Sequence, residues 1–65
     1  MNDIREMVEV GSREIDREND GVTTTITLEY TGKDTQGQGW RWYGRLVKMS
    51  GVNVGYDEWG FEPLP

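Results

Sequence analysis

The chain has 65 residues, a net charge of −5, no cysteine and no histidine. Those absences exclude a disulfide framework and the ordinary zinc and iron–sulfur centres, which need thiolate or imidazole ligands. A domain this short buries only about 60% of its unfolded surface, so its stability must come from aromatic area or from partner chains, and three Trp, three Tyr and one Phe suit either.

In chain order, residues 3–10 admit two readings. As a helix, Asp3 caps with Glu6 three positions on, Ile4, Met7 and Val8 share a face, and Gly11 stops it. As a strand, Val8 and Val10 alternate. MNDIREMVEV is charged and lacks a continuous apolar run, so it does not read as an export signal. No stretch approaches the eighteen or so apolar residues of a helical membrane span. A cytoplasmic location is the expectation, host-cell cytoplasm for a viral protein, with no membrane partner.

Asp20–Gly21 signals a two-residue type I′ hairpin, which needs positive φ at both central positions. Folding there pairs Asn19 with Val22, Arg17 with Thr24, Ile15 with Ile26 and Arg13 with Leu28. One face then carries Ile15, Val22, Ile26, Leu28 and Tyr30. The other carries Ser12, Glu14, Asp16 and Glu18 opposite Glu29, Thr27, Thr25 and Thr23.

TGKDTQGQG, residues 31–39, reads as a polar, glycine-rich loop. WRWYGRLVKM, residues 40–49, reads as a strand, and Ser50–Gly51 as a second tight turn into VNVGY. That fold-back pairs Met49 with Val52, Val47 with Val54, Arg45 with Tyr56 and Tyr43 with Glu58, and on the other face Leu46 with Gly55 and Trp42 with Trp59. Gly44 is a candidate bulge. Residues 57–65 carry two prolines and read as an extended C-terminal arm. The expected architecture is mainly β, a small antiparallel meander or SH3-like, partly open barrel of four or five strands in one domain, with a short N-terminal helix as an option.

Strand 40–49 is apolar on both sides: Tyr43, Val47 and Met49 point one way, Trp40, Trp42 and Leu46 the other. A sheet with one wet face needs only one apolar side. The second must be covered by the N-terminal segment, by the C-terminal arm with Trp59, Phe61 and Leu64, or by a partner. The rings are core in the simplest reading. In the functional reading Trp40, Trp42 and Trp59 anchor a partner with Leu46 between them, and Lys48 and Asp57 are rim charges.

Catalysis is not expected. Histidine–nucleophile pairs cannot be assembled, and the paired carboxylates Glu14 and Asp16 fall on a solvated face. DRENDG, residues 16–21, imitates the start of a calcium loop, but Thr27 stands where the bidentate glutamate belongs. The glycines match no nucleotide-binding spacing, so no cofactor or metal is expected. Residues 33–48 hold Lys33, Arg41, Arg45 and Lys48 against Asp34 alone, whereas residues 1–20 hold seven acids against three arginines. Arg41, Tyr43 and Arg45 beside the tryptophans match surfaces on which single-stranded bases stack, against the field of an acidic chain.

Together these features point to a non-catalytic protein-binding module, such as a small viral or mobile-element inhibitor or accessory protein. Its partner is another protein or a second copy of the chain. Single-stranded nucleic-acid binding, and a structural subunit of a larger, virion-like assembly, are the alternatives.

Overall fold

A computed structural model describes residues 6–65. It contains four strands, β1 (Val8–Asn19), β2 (Thr23–Lys33), β3 (Gly39–Met49) and β4 (Val52–Pro63). They form one antiparallel sheet in the order β1-β2-β3-β4, so the architecture is the expected meander, with β1 and β4 as its edges. Val8–Val10 are strand rather than helix, and residues 3–5 of the alternative helix lie outside the described residues. The expected arm at 57–65 is also corrected, because residues 57–63 pair with β3 as the second half of β4. An edge position tolerates Pro63, whose missing N–H costs no ladder bond.

The first turn differs from the two-residue form read from Asp20–Gly21. Asn19 pairs with Thr24, leaving four residues between them. Only Gly21 has positive φ (101°). Asp20 closes the loop with its side chain: Oδ1 accepts the N–H groups of Val22 (3.1 Å) and Thr23 (2.7 Å), while Asn19 Oδ1 accepts that of Gly21 (2.6 Å). An aspartate that gathers neighbouring amides is a turn in its own right. The second turn is as expected: Ser50 (φ 51°) and Gly51 (φ 81°) both take positive φ. The β2–β3 connection is shorter than the loop read at 31–39, because β2 runs on to Lys33 and Gly39 opens β3. Asp34 organises what remains, as described below.

The inner strands pair without a break from Thr23↔Met49 to Lys33↔Gly39, so Gly44 is not a bulge in that ladder. Every register shift sits on an edge strand, between Val8 and Gly11 and between Glu14 and Asp16 in β1, and at the β4 residues 54 and 60–61. At an edge a bulge bends the strand and shifts the alternation of its side chains by one.

These shifts decide which side chains share a face. Ile26, Leu28, Tyr30, Trp40, Trp42, Leu46, Tyr56 and Phe61 lie on one side, the aromatic face. Thr23, Thr25, Thr27 and Thr31 lie on the other, the threonine face, with Tyr43, Arg45, Val47 and Met49. The division of β2 and β3 is the expected one. In β1 it holds for Asp16 and Glu18, but Ser12 and Glu14 cross to the aromatic face opposite Tyr30 and Leu28.

The core is thin and lies on the aromatic face. Trp42 (4% exposed) and Ile26 (8%) are its buried apolar side chains. Trp42 is sandwiched between Tyr30 (centroids 5.5 Å apart) and Phe61 (5.6 Å). Among the described residues the sheet is the only layer, whereas most domains pack two. The radius of gyration, 13.6 Å, with extents of 43 × 19 × 17 Å, compares with the roughly 10–11 Å of a compact domain this long.

Candidate functional site

The residues proposed as one docking surface are divided between the two faces. Trp40, Trp42, Leu46 and Lys48 occupy alternate positions of β3 on the aromatic face. Asp57 and Trp59 lie on the threonine face, opposite Arg45 and Tyr43. The expected Trp42–Trp59 pair does not form. Val54 is an extra residue in β4 between Val47↔Gly55 and Lys48↔Asn53, and it moves residues 55–59 by one position. In a strand a one-residue slip reverses the face.

On the aromatic face the rings are occupied with one another. Trp42 Nε1–H donates to Glu58 Oε2 at 2.9 Å. The Tyr56 hydroxyl reaches the same oxygen at 3.0 Å and the Tyr30 hydroxyl at 2.8 Å. Gly44 makes that meeting possible: a Cβ there would lie 2.7 Å from both Tyr30 Cε2 and Tyr56 Oη. Two tyrosines from β2 and β4 thus bridge the gap left in β3. Partial loss of water around the hydroxyl, on a side chain otherwise half-exposed, pushes Tyr56 above its ordinary pKa, with its bonds to Tyr30 and Glu58 adding to the shift.

Trp40 is tied in a different way. Its Nε1–H donates to Asp34 Oδ2 at 3.0 Å, while Asp34 Oδ1 accepts the N–H groups of Gln36 (2.9 Å) and Gln38 (3.0 Å). This buried carboxylate is held below its ordinary pKa, chiefly by the indole bond and then by the amides. Asp34 therefore fastens the β2–β3 loop to the sheet. The D-T-Q-G-Q-G string carried that signal, an aspartate three residues before a glycine with φ of 85°, yet the carboxylate's bond to Trp40 depends on the fold.

The threonine face carries Trp59, Met49 and Val52 among the exposed apolar groups, while Tyr56 and Val10 are half-exposed on the aromatic side. Trp59 is 38% exposed and stacks on Tyr43, centroids 6.1 Å apart. The Arg45 guanidinium lies over the same indole, Cζ 5.0 Å from its centroid, within cation–π range. Met49 and Val52 pair at the far end and are also exposed. Beside them, Asp16, Glu18, Thr25, Thr27, Arg45 and Val47 line a shallow depression of about 400 Å³.

Arg41, Tyr43 and Arg45, the candidate nucleic-acid contacts, share this face with Trp59. Arg41 is ion-paired with Glu62, whereas Arg45 lies over Trp59 with Asp57 as its register partner. Arg13 bonds Glu29 on the same face at 2.9 Å, leaving Asp16, Glu18 and Asp57 as the acids with no ion-pair partner there among the described residues. The calcium-loop string at 16–21 forms the end of β1 and the start of the first turn instead, with Asp20 spent on backbone amides. Among the described residues no group of three or more acidic side chains is placed to hold a metal ion, and no helix is long and apolar enough to cross a membrane. No family model, curated protein or solved structure matches this chain.

Proposed function

We propose that the chain is a non-catalytic protein-binding module that docks through its threonine face. The observation that carries this reading is the exposed Trp59–Tyr43–Arg45 stack, set on a single-layer sheet whose other face buries Trp42 between Tyr30 and Phe61. Tryptophan, tyrosine and arginine supply most of the strong anchors of protein interfaces. The rest of the face fits a flat partner: threonines present methyls and hydroxyls in rows, and Val47, Met49 and Val52 extend the apolar area. Asp16 and Glu18 select a partner with basic groups near the apolar socket that takes Trp59. This moves the anchor from the Trp40–Trp42 side, where Trp42 is too buried to make first contact, to Trp59 with Asp57 at its rim.

The test is affinity capture with wild type beside Trp59→Ala. Partners recovered by wild type and lost by the variant, with an unchanged far-UV spectrum, support the reading. Recovery of the same partners by both overturns it.

Single-stranded nucleic acid remains the second reading, favoured by the convergence of Arg41, Tyr43, Arg45 and Trp59. Titration with a mixed-sequence single-stranded oligonucleotide separates the two. Quenching of Trp59 that weakens steeply with added salt marks backbone binding, whereas a protein interface anchored by Trp59 gives no such quenching.

A further inference from the structure

We propose that β1 is a self-complementary edge that pairs antiparallel with β1 of a second copy, extending the sheet from four strands to eight. The argument starts from the bulge at Ile15, the extra residue between Glu14↔Leu28 and Asp16↔Thr27. A bulge shifts the alternation of side chains by one, so positions on its two sides that would point to opposite faces point to the same one. Arg13 and Glu18 both lie on the threonine face, opposite Glu29 and Thr25. Glu14 and Arg17 both lie on the aromatic face, opposite Leu28 and Ile26, as do Ser12 and Asn19, opposite Tyr30 and Thr24. The strand is therefore symmetric in facing about the bond between Ile15 and Asp16.

A two-fold axis through that point sets Arg13 across from Glu18 of the second copy, and Glu14 across from its Arg17. Ser12 then meets Asn19. Each pair occurs twice, and each joins residues on one face, which directly opposed side chains require. Four opposite-charge pairs form, with no like-charge pair between residues 12 and 19. A slip of one position destroys the match. In one direction Arg13 meets Arg17 and Glu14 meets Asp16; in the other Glu14 meets Glu18 and Asp16 meets itself. Glu18 has no ion-pair partner in its own chain among the described residues, so this contact gives it one.

The other edge does not share the property. β4 carries Asp57, Glu58 and Glu62 with no cation between Val52 and Pro63, so two copies of it meet acid on acid. Strand addition at an open edge supplies main-chain hydrogen bonds while side-chain pairs set the register. One strand pairing with one strand buries less than the roughly 1,200 Å² of a standard stable interface, so the dimer is a weak one, populated at high protein concentration. It shares Glu18 with the rim of the docking face but not the Trp59–Tyr43–Arg45 anchor, and either reading survives failure of the other.

Sedimentation equilibrium tests it with Arg13→Glu, Glu18→Arg and their equimolar mixture. Wild type is expected to show a mass that rises with concentration from one chain towards two. Each variant alone sets like charges opposite in both pairs, and its self-association weakens on the order of tenfold or more. The mixture restores opposite charges in both pairs and recovers the dimer. Should Arg13→Glu lose its fold along with the Glu29 contact, Glu14→Arg mixed with Arg17→Glu makes the same test with far-UV spectra as the check on folding, since each also breaks the 2.7 Å Glu14–Arg17 ion pair within the chain. A wild-type mass of one chain at every concentration, a dimer indifferent to the single reversals, or folded variants that fail to associate when mixed each overturns the proposal.

Discussion

Replacing Trp42 by alanine tests whether the aromatic face is the core of this protein. A buried tryptophan removes up to about 250 Å² from water, and Trp42 is 4% exposed. At about 25 cal/mol per Å² that is on the order of 4–6 kcal/mol. A denatured state that already buries some of this area lowers it to about 3–5 kcal/mol, the range measured for aromatic-to-alanine changes in other cores. The stacks on Tyr30 and Phe61 and the bond to Glu58 vanish with the ring. A domain of this length has a total stability of only about 3–10 kcal/mol. Trp42→Ala is therefore expected to be largely unfolded, or to lose about 3 M in its urea midpoint, taking a slope near 1 kcal/mol/M for a chain this small. Far-UV circular dichroism across a urea titration measures it. Trp59→Ala is the control, because that ring is 38% exposed and loses about 1 kcal/mol of stacking and cation–π contact. A Trp42→Ala chain that unfolds cooperatively within about 1 kcal/mol of wild type would refute the reasoning, since the sheet would then be held together elsewhere.

Gly44→Ala places a Cβ 2.7 Å from Tyr30 Cε2 and Tyr56 Oη, parting the two hydroxyls at a cost of about 1–3 kcal/mol; thermal unfolding should show a midpoint lower by at least about 4 °C. Ser50 carries φ of 51°, a conformation asparagine tolerates better, so Ser50→Asn should raise the thermal midpoint, and a lowered one would contradict the turn geometry. Asp34 and Asp20 both have carboxyls held below the ordinary 3.8. Their contribution is fully present above the ordinary carboxylate range and is lost as pH falls through the lowered folded-state values. Urea midpoints should therefore drop below about pH 4, and Asp34→Asn should flatten that drop while exposing the Trp40 indole, seen as a red shift in emission. Tyr56 works in the opposite direction: its raised pKa stabilises the fold up to about pH 10 and loses effect as pH climbs further. Tyr56→Phe should accordingly steepen less on the alkaline side.

Much of the β architecture was legible because its signals are local. The alternation of Thr23 to Tyr30 separates two faces within one strand, and that of Trp40 to Met49 does the same. Ser50–Gly51 states its own turn, since positive φ at both positions favours few residues. These features depend on backbone stereochemistry and a period of two, which neighbours a few residues apart already display. The polar surroundings of Asp34 marked a loop but not the Trp40 contact, because that bond joins two strands.

What the tertiary structure decided was the partnering of faces across strands. Bulges at Ile15 and Val54 carry no distinctive residue pattern, and at 60–61 only Gly60 (φ 73°) marks one, yet each slips the register by one and exchanges inside for outside. Ser12 and Glu14 therefore moved to the aromatic face, and Trp59 parted from Trp42. Alternation within a strand is written residue by residue in the chain. Where an extra residue is accommodated depends on packing between strands, as when Tyr30 and Tyr56 close over Gly44, and only the assembled sheet sets that balance.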